Sequence, residues 1–264
     1  MKKWHSALLA LGISLAMGGA AQAETLTGMV NGSDVYAKVG ANTGQWVQLT
    51  SGMAAHNLKM AGDRIAFLDA SGGLWLKQGG IRAQWYLQTT GVSDYALAQN
   101  YLLAKKTDNT AWMKEGQDPT GQWDSQMVAS NVSKVYLSSN QMAVLFANGD
   151  LRGKVLSQIP GVTDVGFVGV TGTWSDIAKN VTQAAITDTR LVYIDTNNDV
   201  RGKDGPIWYS WWNNGQVIDT RAGQVGLLGN KYCAVLEPSL IGEADNNKYL
   251  YCKTGAFSAQ PEYT

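Results

Sequence analysis

Six copies of one short segment run through this chain at a near-constant period, and that repeat limits the possible fold more than any other feature. Val35-Tyr36-Ala37-Lys38-Val39-Gly40 aligns with Leu74-Trp75-Leu76-Lys77-Gln78-Gly79 and with Ala111-Trp112-Met113-Lys114-Glu115-Gly116. Leu151-Arg152-Gly153-Lys154, Val200-Arg201-Gly202-Lys203-Asp204-Gly205 and Leu250-Tyr251-Cys252-Lys253-Thr254-Gly255 complete the set. The lysines are spaced 39, 37, 40, 49 and 50 residues apart, a forty-residue unit with two insertions. A repeat of this length is one supersecondary unit that buries its apolar face only against its neighbours.

The rest of each copy reads as β-structure. Turn sequences such as Ala70-Ser71-Gly72-Gly73, Ala147-Asn148-Gly149-Asp150 and Thr196-Asn197-Asn198-Asp199 stand just before the lysine segment. Their Gly, Asn and Asp tolerate the positive φ of tight hairpins. An apolar strand precedes each turn (Arg64–Leu68, Met142–Phe146, Leu191–Ile194), and a third strand precedes that (Val92–Leu97, Val132–Leu137, Val181–Ile186). A tryptophan strand follows the lysine, marked by Trp46, Trp85, Trp123, Trp174 and Trp212. Four strands per forty residues predict an all-β protein, a β-propeller of six blades, with five as the alternative. The first copy lacks its third strand and the last lacks its tryptophan strand, so closure is expected by pairing of the termini.

Before the repeats, Met1-Lys2-Lys3 and the apolar run Ala7 to Met17 lead to Ala21-Gln22-Ala23, the pattern of an export signal. Residues 1–23 are expected to be cleaved, leaving residues 24–264 as a single domain, secreted or periplasmic, with no membrane span. Cleavage leaves His56 as the sole histidine, so multi-histidine zinc sites are excluded and a Ser-His-Asp triad has only one possible base. No cofactor, metal or catalytic residue is assigned. Asp195-Thr196-Asn197-Asn198-Asp199 resembles the start of a calcium loop, but Val200 and Pro206 stand where glycine and glutamate are needed, and it reads as a hairpin turn. The carboxylates Glu237, Glu243 and Asp245 share one loop without recurring around the repeat, a weak basis for glycoside cleavage. With 21 basic and 21 acidic residues there is no cationic surplus for nucleic acid.

Cys233 and Cys252 are the only cysteines, and an oxidising compartment makes a disulfide the default. Pairing Lys231–Glu237 with Lys248–Cys252 as a hairpin places them directly opposite one another.

The order Gly44-Gln45-Trp46, Gly52, Leu58 and Gly73-Leu74-Trp75, echoed by Gly121-Gln122-Trp123 and Gly172-Thr173-Trp174, resembles tectonin and tachylectin-type β-propeller repeats. That resemblance implies a sugar-binding propeller whose partner is a glycan or cell-surface glycoconjugate. The candidate ligand residues are Trp75, Lys77, Trp85, Trp112, Lys114 and Trp123, with the cluster Trp208, Tyr209 and Trp211 in an insertion. For the repeated tryptophans, packing between blades is the competing explanation. For the lysines, an amphipathic side chain lying along an aromatic and capping a carbonyl is favoured over a cationic ring. A protein-binding module using insertions 155–171 and 204–212 is the alternative function.

Overall fold

The structure, a computed structural model, describes residues 26–40, 44–120, 126–156, 174–204, 216–220, 222–228, 231–236 and 249–254. These residues form six antiparallel sheets divided between two compact units, residues 1–92 with 117–123 and residues 93–116 with 124–264. Among them no helix is long and apolar enough to cross a membrane.

In the first unit, β1 (Leu26–Asn31), β2 (Asp34–Val39) and β3 (Val47–Gln48) form a three-stranded sheet. The next sheet has four strands, β4 (His56–Ala61), β5 (Arg64–Leu68), β6 (Leu74–Gln78) and β7 (Tyr86–Thr89). The second unit repeats the four-stranded pattern three times. Its sheets are β8 (Val92–Leu97) to β11 (Gln126–Ala129), β12 (Val132–Leu137) to β15 (Ser175–Ala178), and β16 (Val181–Ile186) to β19 (Gln216–Asp219). Their middle strands are β9 (Tyr101–Lys106) and β10 (Ala111–Glu115), β13 (Gln141–Phe146) and β14 (Leu151–Val155), and β17 (Arg190–Asp195) and β18 (Val200–Asp204). The last sheet holds β20 (Ala222–Leu228), β21 (Lys231–Leu236) and β22 (Tyr249–Thr254). Strand order within every sheet follows the sequence, as expected for hairpin-linked strands.

The lysine segment is the third strand of each full sheet, and the first sheet lacks the strand that opens the others, as the repeat predicts. The tail expected to take part in closure, residues 256–264, lies outside the described residues, as do residues 24–25 ahead of the first strand. The export segment, the loop 237–248 and most of both insertions lie outside them too. The tryptophans need a correction. Trp46, Trp85 and Trp174 stand one residue before β3, β7 and β15 rather than on those strands.

Two features of the repeat were not anticipated. The first residue of a sheet's opening strand donates its amide to the preceding hairpin turn: Val92 to Gly72 O, Val132 to Asn109 O and Val181 to Gly149 O, each at 2.9 Å. The acceptors have positive φ, 78° at Gly72, 64° at Asn109 and 84° at Gly149. At Gly72 a Cβ would also lie 2.9 Å from Val92 O, so glycine answers both the turn and the close approach. A β-bulge follows the first residue of β12, β16 and β20, and the Ser133 and Thr182 hydroxyls there donate to Leu145 O at 3.0 Å and Ile194 O at 3.2 Å.

The core lies between consecutive sheets. In the first unit Leu26, Ala37, Met60 and Ile65 join sheets one and two. In the second, Leu103 and Met113 meet Val135 and Val144, and Leu145 and Leu151 meet Ala184 and Leu191. In the middle sheets of the second unit, alternating strand residues supply both faces, because those sheets pack on a neighbour on each side. Cys233 and Cys252 are register partners on β21 and β22 and form a disulfide, in the pairing expected from sequence.

Candidate functional site

Two sets of side chains recur at fixed register; in the first the lysine is buried in sheets two and four, while Trp46 of the first sheet is exposed. The first couples the repeat lysine to the tryptophan that follows it. Lys77 on β6 is only 2% exposed; its ammonium donates to Ile81 O at 2.7 Å and lies 4.8 Å from the Trp85 ring centre. Trp85 in turn donates its indole N–H to Leu49 O at 3.1 Å and meets Phe67 edge-on at 4.8 Å. The pattern returns in the second unit, where Lys154 lies 4.6 Å from the Trp174 ring and Phe146 meets that ring edge-on. Lys38 lies 5.2 Å from Trp46 in the first sheet. Burial pushes the Lys77 and Lys154 ammonium groups below their ordinary pKa. The carbonyl and the indole face offset part of the desolvation cost. Lys77 shares a strand face with Trp75, as alternation requires, but its ammonium ends over Trp85.

The second set occupies the position two residues before the lysine. A register shift between the third and fourth strands falls just before it in each full sheet, at Leu74/Trp75, Ala111/Trp112, Leu151/Arg152 and Val200/Arg201. Bulges re-aim side chains next to them. Trp75 is partly exposed and donates its indole N–H to Asp69 Oδ2 at 2.7 Å. Trp112 is likewise partly exposed and donates to Thr110 Oγ1 at 2.7 Å. Opposite them on the edge strands stand Leu87, 48% exposed, and Met127, 54% exposed. At the same position Arg201 donates from Nε to Asp195 Oδ2 at 2.9 Å, and Arg152 pairs with Asp176 at 2.8 Å. At Trp75 and Arg201 indole and guanidinium interchange because each presents one N–H to a carboxylate six residues earlier, Asp69 or Asp195, whereas Trp112 and Arg152 find other partners.

That carboxylate also caps the hairpin turn. Asp69 Oδ1 accepts the Ser71 and Gly73 amides, both at 2.8 Å; Asp195 Oδ1 accepts the Asn197 amide at 2.9 Å and the Asp199 amide at 3.1 Å. Burial alone would raise the Asp69 pKa, but hydrogen bonds from the Ser71 hydroxyl, the Trp75 indole and the Gly73 and Ser71 amides outweigh it and lower it to about 2. The calcium-like Asp195–Asp199 segment is accordingly a capped hairpin turn between β17 and β18. No group of three or more His, Cys, Asp or Glu among the described residues is arranged to hold a metal. His56 opens β4 and is exposed.

The structure therefore brings Trp75, Lys77 and Trp85 together around Phe67 and places Trp112 and Lys114 on β10. Lys114 is buried. Trp123, Trp208, Tyr209 and Trp211 lie outside the described residues. Asp69 and the link from each turn aspartate to the side chain six residues on were missed in the sequence, although that spacing, before Trp75 and Arg201, is visible there.

Comparison with known proteins places the fold. Yeast RCC1 (Prp20), solved with Kap60, is matched at 14% identity with a TM-score of 0.55 over 77% of this chain and 62% of that one. The chain thus spans less than two thirds of the RCC1 chain. Hsv2 of Kluyveromyces lactis is matched at 11% identity with a TM-score of 0.56, over 82% of this chain and 69% of that one. The fold is a six-bladed β-propeller. Human WBSCR16 is similar at 10% identity and a TM-score of 0.55, over 76% of this chain and 67% of its own. No protein-family model and no curated protein matches the sequence. At these identities the likeness speaks for the propeller alone.

Proposed function

We propose that this propeller is an exported, non-catalytic binding protein that takes carbohydrate on its repeated tryptophans. The observation that carries this reading is the placement of Trp75 and Trp112. Both occupy the same register position, both have the indole N–H pinned by a neighbouring side chain, and both remain partly exposed beside an exposed aliphatic residue. A fixed aromatic face loses little entropy on binding and stacks against the C–H face of a sugar ring. The lysine-covered Trp85 serves packing in this reading, and so does Lys77. Carbohydrate binding on a glycan array is the test, repeated with Trp75→Ala and Trp112→Ala. Each substitution is expected to weaken binding about tenfold or more while the protein still melts cooperatively. A wild-type protein that binds no glycan, or a folded double variant that binds as well as wild type, would overturn the reading.

A protein partner is the second reading. Leu87 and Met127 are large, apolar and exposed on edge strands, where a partner's chain can add alongside. Yeast RCC1 (Prp20) is itself described with Kap60 and with binding properties toward Gsp1p and histones. Pull-down from the native milieu, lost on Leu87→Glu or Met127→Glu, separates this reading from the first.

A further inference from the structure

A concavity at the hairpin end of the fifth sheet stands apart from the tryptophan positions. It encloses about 350 Å3, and its lining includes Lys179, Asn180, Tyr193, Asp195, Asn197 and Arg201. Small-ligand pockets start at about 300 Å3, so it has room for one small ring. Its walls are pinned. Asn180, at φ 57°, accepts the Thr196 amide at 2.8 Å, tying the link between β15 and β16 to the turn after β17. Asp195 holds both that turn and Arg201.

The lining is polar. Asp195 and Asp199 both face Arg201, at 2.9 Å and 3.9 Å. Lys179 is exposed at the rim and makes no ion pair among the described residues, so its ammonium is the cation there that a ligand's anionic group can meet. The Asn180 and Asn197 side-chain amides are exposed and make no hydrogen bond among the described residues. Tyr193 is 2% exposed, and burial pushes its phenol up to about 12, so the hydroxyl stays protonated at neutral pH.

We infer that this concavity binds the ring of an acidic sugar, a hexuronic acid, with Lys179 taking the carboxylate and the Asn180 and Asn197 amides taking ring hydroxyls. A neutral sugar makes no charge-assisted bond to Lys179, and a bare anion leaves the two amides unused. The inference rests on the carbohydrate reading above and assigns a site and a sugar class to it.

The test titrates glucuronic acid, glucose and acetate separately into the full chain, followed by amide and indole N–H NMR shifts. Glucuronic acid is expected to shift the Asn180 and Asn197 signals and to bind about tenfold more tightly than glucose or acetate. Lys179→Ala, a surface substitution, is expected to remove about that tenfold preference without changing the melting temperature. Equal binding of acetate or of glucose, unaltered affinity in Lys179→Ala, or no binding of glucuronic acid would overturn the inference. Shifts confined to the Trp75 and Trp112 indole N–H signals would overturn it too, while leaving the tryptophan reading standing.

Discussion

Asp69 shows how much one side chain can organise in this repeat. Its carboxylate closes a hairpin turn, fixes the Trp75 indole and thereby sets the angle at which a candidate ligand platform meets solvent. Asp195 does the same for Arg201 and for the wall of the concavity. A pH dependence follows from the Asp69 pKa of about 2. A carboxylate depressed in the folded state contributes stability above its ordinary value near 4 and loses it as pH falls towards 2. Acid unfolding should therefore show a loss of stability between about pH 4 and pH 2 that Asp69→Asn reduces. The same variant should be less stable than wild type at pH 7, as read by denaturant titration. The sequence marks Asp195 as part of a turn and does not single out Asp69, and the second bond of each, to the side chain six residues on, depends on the hairpin's twist.

At the scale of elements, the strands were largely legible and their irregularities were not. Val92–Leu97, Val132–Leu137 and Val181–Ile186 were read from alternation with the observed bounds. The bulges came only with the folded sheet, because a two-against-one pairing is a property of two strands together. The tryptophans were placed on strands because they recur with the strand period. Trp46, Trp85 and Trp174 instead precede the strands, and each indole meets the lysine of the strand before. The β21–β22 hairpin gives the clearest agreement, with Cys233 opposite Cys252 at a sequence separation of 19. Closing a loop of that size constrains the unfolded chain by about 3 kcal/mol in the chain-entropy account. Replacing both cysteines by serine, or adding reductant, should lower the melting temperature accordingly in a thermal unfolding experiment.

At the scale of the whole molecule, the forty-residue period announced the propeller, and the solved structures agree with it at identities of 10–14%. That combination is physically reasonable. Each sheet needs only apolar faces and tight turns to pack on the next, and many sequences supply those. The export reading makes a prediction about the whole chain: protein recovered from outside the cytoplasm should begin Glu24-Thr25-Leu26 on N-terminal sequencing and carry no free thiol. By itself the sequence determined the forty-residue repeat, the strand order within each copy and the cysteine pairing, while leaving five or six blades open. All three follow from local periodicity and turn chemistry along the chain. Only the tertiary structure decided which aromatic faces remain open. The Trp85 position is tryptophan in five copies and the Trp75 position in two, and both side chains are partly exposed, yet only the fold sets Trp75 opposite Leu87 and lays the Lys77 ammonium over Trp85. The concavity around Lys179 and Arg201 likewise exists only after folding, because it joins the link after one sheet to the turn within the next, and exposure is fixed by neighbours that no local pattern contains.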